Sequence, residues 1–332
     1  MQELRIDPLS GHRTIVAGER SRRPGGEPRC EPPERIDPET DPFAEGHEQR
    51  TPPELYAVRP GGGPADSPGW SVRVVPNLYP ALTPAEASGE RAPAPEVRGQ
   101  PELFVSLPAS GAHEVIVNGP QPVLSLAELP VEQVVVAVET WRERMRTHAA
   151  SACVQLIVNE RREAGASLPH THAQLYALDF VPAAVARERE RASAYTTRTM
   201  GQSLLGDLVA EEVRRRERIV AIDEEAVLMA PYASRLPFQL MLAPRTPRAR
   251  FEDDGASGAA LLHDGLCRLA RHLGSSPPLN LWVRTAPRGA EDFCWRIDVL
   301  PRLTHLAGLE LSTDVNLNIV APEHAASALR EA

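Results

Sequence analysis

The sequence predicts an α+β fold built as two similar halves, and three observations lead there. Short apolar runs with strand alternation come in groups, and each group is accompanied by a long helical pattern. Each half shows strand, turn, strand, helix and strand, then ends in a matching alternating segment: His170-x-His172-x-Gln174 in the first and Cys294-x-Arg296-x-Asp298 in the second. The length, 332 residues, suffices for one large or two ordinary domains around a real hydrophobic core. The expected halves are residues 1–181 and 182–332.

Composition narrows the function. A net charge of -9 argues against a nucleic-acid groove, which needs a basic field. No apolar run approaches the roughly 20 residues of a membrane span. The start of the chain, Met1 to Arg13, lacks the apolar core of a signal peptide, so a cytoplasmic protein is expected. Cys30, Cys153, Cys267 and Cys294 are scattered without CxxC spacing and read as reduced thiols. All 36 Lys+Arg residues are arginine. A Schiff-base lysine and a Walker-type phosphate lysine are therefore excluded, and phosphate charge must be met by Arg, His, amides or backbone N–H.

In chain order, a turn signal at Asp7-Pro8 to Gly11 leads into a short strand, Thr14–Ala17, and then a basic turn with Arg20, Arg22 and Arg23. Residues 25–69, rich in Pro, Gly and acidic groups, read as surface loop. Trp70–Leu82 alternates like a strand and ends at Pro76-Asn77, and His113–Asn118 is a further strand. Leu129–His148 is an amphipathic helix whose Val131, Val134, Val138, Trp141 and Met145 form one core-packing stripe. Pro182–Arg218 mixes opposite charges three and four apart, as a solvated helical pair does. The second half continues with strand, turn and strand from Ile219, a helix at Gly255–Leu273, a strand at Leu279–Arg284 and a terminal helix at Pro322–Arg330.

The chemistry is concentrated in Val154–Leu178. An apolar strand, Val154–Val158, is followed by a charged turn, the small-residue loop Ala164-Gly165-Ala166-Ser167 and a second strand ending at Leu178. In extended backbone, residues two apart point the same way, which groups His170, His172 and Gln174 on one face. Two imidazoles and an amide beside a Gly/Ser loop suit nucleophilic attack on phosphorus. Neutral imidazole is a good nucleophile near pH 7 and a good leaving group once phosphorylated. Amide and loop donors can hold the non-bridging oxygens.

Asn159, Gly165, Ser167, His170, His172 and Gln174 together resemble the active-site signature of the galactose-1-phosphate uridylyltransferase family, a branch of the histidine triad superfamily. Thr171 replaces that signature's middle proline. The resemblance implies two histidine-triad-like halves, each an antiparallel sheet with packed helices. It also implies transfer of UMP between UDP-glucose and a hexose 1-phosphate, such as galactose 1-phosphate, through a uridylyl-histidine. By the same likeness His172 is the nucleophile, Gln174 and Ser167 hold the phosphoryl group and His170 supports the nucleophile. Arg20, Arg23, Asn77, Asn159 and Gly165 are substrate-binding candidates, and Glu310 and Thr313 serve the partner's site in a homodimer. The alternatives are an ADP-glucose or diadenosine-polyphosphate phosphorylase or hydrolase using the same histidine, and a non-catalytic nucleotide-binding protein.

The sequence departs from the family at its metals. The structural-zinc positions, which the resemblance gives as two cysteines and two histidines, hold Asp41 and Ala44 for the cysteines and Pro122 for one histidine, with only His170 kept. Pro247, Cys294 and Arg296 stand at second-site histidine positions, and Glu188 survives alone. Hence no resident zinc or iron is expected.

Overall fold

The computed structural model describes residues 2–22, 30–33, 35–84, 103–104, 107–255 and 257–332. Its frame is one ten-stranded sheet in the order β3 (Tyr56–Val58), β4 (Val72–Pro76), β5 (Gly111–Val117), β7 (His172–Leu178), β6 (Cys153–Glu160), β11 (Leu279–Arg284), β12 (Arg296–Pro301), β10 (Leu240–Pro244), β9 (Ala226–Met229) and β8 (Ile219–Ile222). Every neighbouring pair runs antiparallel. The first five strands precede residue 181 and the last five follow it. β6 and β11 pair from Leu279↔Glu160 to Val283↔Leu156, so the two expected sheets are one. That seam removes two edges whose unpaired N–H and C=O groups would otherwise face solvent.

Strand alternation gives the sheet two unlike faces. Leu156, Val158, Leu175, Leu281, Val283, Ile297 and Val299 point into one apolar core. That core is closed by α1 (Val131–Thr147), through Val134, Val138, Trp141 and Met145, and by α4 (Ala259–Leu273), through Leu262, Leu266 and Leu269. Each such fully buried side chain contributes about 1.5–3 kcal/mol. The other face is polar: by register it carries Gln155, Ile157 and Asn159 of β6, His172, Gln174 and Tyr176 of β7, and Trp282 and Asp298 of β11 and β12.

α2 (Ala183–Thr199) and α3 (Leu204–Arg215) form the charged helical pair, with few buried residues. The chain ends in α6 (Pro322–Glu331), the expected terminal helix. Three elements depart from the sequence reading. Tyr56–Val58, inside the expected surface loop, is the edge strand β3. Glu3–Ile6 is a strand, β1, pairing with β2 (Arg13–Val16) in a separate three-stranded sheet. The segment around Glu310 and Thr313 is a short helix, α5 (Gly308–Thr313), running into β13 (Val315–Asn318), which pairs parallel to β2. This small sheet is anchored on the second half: Asn318 Nδ2 donates to the Ser234 and Leu236 carbonyls, and Thr14 Oγ1 to that of Ala233. Among the described residues no helix is long and apolar enough to cross a membrane.

Candidate active site on the polar face

His172 opens β7 and is buried to 5 % exposure. Its Nδ1 lies 2.8 Å from the carbonyl oxygen of His170, so Nδ1 carries the proton and Nε2 keeps the lone pair. Burial pushes its pKa below the ordinary imidazole value, and the His170 carbonyl opposes that only in part. The Phe43 ring meets the His172 ring edge-on at 5.2 Å.

His170 supports its neighbour by its backbone, not by sharing the open face. Its ring is fully buried, with Nδ1 2.7 Å from Asp41 Oδ2 and Nε2 2.8 Å from the Gly119 carbonyl. Both nitrogens face oxygen acceptors, an arrangement met by an imidazolium against the Asp41 carboxylate. The ring thus fixes the loop end whose carbonyl orients His172. Residues 25–69 are consequently more than surface loop: Asp41 and Phe43 are buried against the two histidines.

Gln174 is held from both sides. His113 Nδ1 accepts from the Ala81 N–H at 3.2 Å, so its proton sits on Nε2, 3.0 Å from Gln174 Oε1. Tyr176 Oη donates to the same oxygen at 3.0 Å, and the Tyr176 and His113 rings stack at 4.1 Å. Oε1 is occupied twice, and the Gln174 amide nitrogen has no hydrogen-bond partner among the described residues. Burial lowers the His113 pKa, which favours the neutral ring this network requires. Asn77 stands beside it, its Nδ2 3.2 Å from His113 Nε2 and its Oδ1 accepting from the Tyr79 N–H.

Asn159 Oδ1 accepts from Asn280 Nδ2 across the seam at 2.8 Å, and the Asn159 amide donors have no partner among the described residues. Gly165 has φ +92°, a left-handed turn that glycine adopts without a Cβ penalty. The Gly165 and Ala166 N–H groups are spent on the Arg162 and Arg161 carbonyls, and the Ser167 end of the loop is exposed. His172, Gln174, His170, Ser167, Asn159, Gly165 and Asn77 are therefore carried by β6, β7, their connecting loop and the neighbouring β4 end. Arg20, Glu310 and Thr313 belong to the small-sheet segments instead. Arg23 lies outside the described residues.

Sequence reasoning missed His113, Tyr176 and Asn280 as partners of the site. The signal for Tyr176 was present, two residues beyond Gln174 on the same face; the other two come from strands distant in sequence.

The donor set does not fit a structural zinc. Asp41 and His170 are bonded to each other, and no ring nitrogen of His170 is left to coordinate. Among the described residues no group of three or more His, Cys, Asp or Glu is placed to hold a metal ion.

The family model for the N-terminal domain of galactose-1-phosphate uridyl transferase matches residues 1–182, and a model for a domain of unknown function (DUF4921) matches residues 125–331. The ADP-glucose phosphorylase of Arabidopsis thaliana is 27% identical over 99% of this chain and 92% of its own length. A probable galactose-1-phosphate uridylyltransferase of Drosophila melanogaster is 30% identical over 75% of this chain and 67% of its own. The structure of the Arabidopsis phosphorylase with bound ADP-glucose superposes with a TM-score of 0.80 at 25% identity, covering 100% of this chain and 99% of that one. The chain belongs to the galactose-1-phosphate uridylyltransferase family.

Proposed function

We propose that this nucleotidyltransferase takes its nucleotide from a nucleoside diphosphate hexose by way of His172. The observation that carries the reading is the tautomer of that ring, with Nδ1–H on the His170 carbonyl and the lone pair on Nε2. Nε2 attacks the α-phosphorus, the bond from that phosphorus to the bridging oxygen breaks, and hexose 1-phosphate leaves with the electron pair. The nucleotidyl-imidazolium so formed keeps its Nδ1–H on the same carbonyl, which stabilises its positive charge. An acceptor oxygen then displaces Nε2 and regenerates the neutral ring. The leaving group is a stable anion, so neither step needs a general acid. The Gln174 amide, the Asn159 amide and Ser167 donate to the phosphoryl oxygens.

The first reading is uridylyl transfer between UDP-glucose and a hexose 1-phosphate, supported by the family match. A second reading, phosphorolysis of ADP-glucose, is favoured by the nearly full-length likeness to the Arabidopsis phosphorylase. In either case Arg20, Glu310 and Thr313, which sit with the second half, would complete the site of a partner chain in a homodimer. The Asp41–His170 pair takes over the bracing role of the family's zinc. The test is incubation with UDP-glucose or ADP-glucose labelled in the α-phosphate, with recovery of acid-labile label on His172. Products are then compared with galactose 1-phosphate or inorganic phosphate as acceptor. Turnover without any labelled histidine would overturn the reading.

A further inference from the structure

A cavity of about 330 Å³ opens on the same polar face, over the second half of the sheet. Its floor includes Arg296 and Asp298, the residues that the internal repeat aligns with His172 and Gln174. No nucleophile replaces the histidine there, so any ligand is bound and not attacked.

The charges around the cavity balance on paper but not in hydrogen bonds. Each of the three carboxylates is already bonded through at least one oxygen. Asp298 accepts from Arg296 Nε at 2.9 Å and from Trp282 Nε1 at 3.0 Å, and Glu188 accepts from Arg296 at 3.0 Å. Asp7 is taken by the Leu9 and Ser10 N–H groups and the Ser10 hydroxyl. The guanidinium donors are in excess. Arg284 gives one N–H to Gln155 at 2.7 Å, but its buried Nε lies 3.5 Å from Glu188 and makes no hydrogen bond. Arg235 lines the cavity, with its guanidinium 5.4 Å from the Trp282 ring centroid and no acceptor for its side chain among the described residues. Burial lowers its pKa, the cost of holding a cation away from water without a bonded anion. Gln239 Oε1 accepts from the Arg235 backbone N–H at 2.7 Å, which leaves the Gln239 amide donors for the cavity it lines.

We propose that this cavity is a second, non-catalytic site for a phosphate-bearing small molecule. Arg235, Arg284 and Gln239 take the phosphoryl oxygens, and the Trp282 ring takes the flat or apolar part of the attached group. The volume falls within the range of small-molecule pockets, about 300–1,000 Å³, so a sugar phosphate fits where a bare ion would be loose. The proposal stands apart from the covalent chemistry at His172.

The test is equilibrium titration of the full chain with inorganic phosphate, glucose 1-phosphate or AMP, read by calorimetry and by tryptophan emission. Arg235→Gln is expected to weaken binding at this site by tenfold or more, the usual scale of a lost charge-assisted contact. Nucleotidyl labelling of His172 is measured alongside, so failure of the covalent reading and failure of this one are told apart. Should Arg235→Gln misfold, Gln239→Glu keeps the acceptor for the Arg235 N–H while placing an anion beside its guanidinium, and the same loss is expected. Stronger binding of glucose 1-phosphate or AMP than of phosphate identifies the attached group as part of the ligand. Unchanged affinity in a folded Arg235→Gln or Gln239→Glu protein, or no binding of any probe to the wild type, overturns the proposal.

Discussion

Replacing Asp41 by alanine tests whether an ion pair braces the catalytic loop. The two side chains are 1 % and 0 % exposed, and their contact of 2.7 Å joins residues 129 apart in sequence. Removing one partner of a buried pair costs about 3–5 kcal/mol if the other stays charged. His170 can shed a proton and keep its bond to the Gly119 carbonyl, which reduces the cost towards about 1–3 kcal/mol for one lost buried hydrogen bond. The expected destabilisation is therefore about 3 kcal/mol for Asp41→Ala and about 1 kcal/mol for Asp41→Asn, whose amide oxygen can still accept from Nδ1. Urea unfolding at unchanged m-value measures it. Labelling of His172 should slow in the same order, because a small displacement of the nucleophile costs up to about a hundredfold in rate. A complementary variant carries Asp41→Cys, Ala44→Cys and Pro122→His together, restoring the family's donor set around His170; it should retain about one zinc per chain after purification without a tag. An Asp41→Ala protein within about 0.5 kcal/mol of wild type and labelled at the same rate would refute the bracing argument.

Four further outcomes follow from the geometry. His172→Ala should abolish nucleotidyl labelling and lower turnover by several orders of magnitude in a steady-state assay, since the covalent step itself is lost. His113→Phe keeps the stack on Tyr176 but removes one donor to Gln174; kcat should fall about tenfold with KM little changed, and an equal fall for both acceptors would place the loss in the first step. Glu160, pushed up to about 7 by complete burial from an ordinary 4.5, binds a proton in the folded chain that the unfolded chain has released; stability from this group is full below about pH 4.5 and falls by about 3 kcal/mol as pH rises to 7, a slope that Glu160→Gln should flatten in thermal unfolding. If the sites are shared between two chains, mixing His172→Ala protein with protein altered at Glu310 and Thr313 should restore part of the activity, and a fully active monomer in sedimentation would exclude it.

Much of the frame was legible because alternation and helical periodicity are local properties. Val154–Val158 read as a buried strand and lies in β6, Leu279–Arg284 is β11 to the residue, and the Val134–Met145 stripe packs on the core as its spacing requires. The helical pair after Pro182 followed from charge spacing in the same way. What the sequence hid is pairing between distant segments. Nothing local states that β6 and β11 join two sheets into one, or that Asn280 meets Asn159 across that seam. Asp41 shows the same limit from the side of chemistry. As a replaced cysteine it read as a loss, and only its contact with His170 gives it a role. Residues 25–69 read as surface loop, and most of those described are exposed or half-buried; the reading failed at Asp41, Phe43, Ala44 and Glu48, which are buried, because proline and glycine content reports backbone irregularity and not burial.

Both halves meet the absence of the family's metal donors in one physical way. In the first, His170 lies between the Asp41 carboxylate and the Gly119 carbonyl. In the second, Arg296 lies between Glu188 and Asp298; burial alone would push its pKa down, but the two carboxylates hold it above the ordinary arginine value. A divalent cation and a protonated side chain both gather oxygen acceptors from distant parts of the chain, and both need burial to do so strongly. They differ in what they leave behind. A metal can dissociate or exchange, whereas a side-chain cation is covalently part of the fold and fills volume. Arg296, bonded through Nε to Asp298 and through one Nη to Glu188, occupies those carboxylates and leaves Arg235 and Arg284 as the surplus donors of the neighbouring cavity.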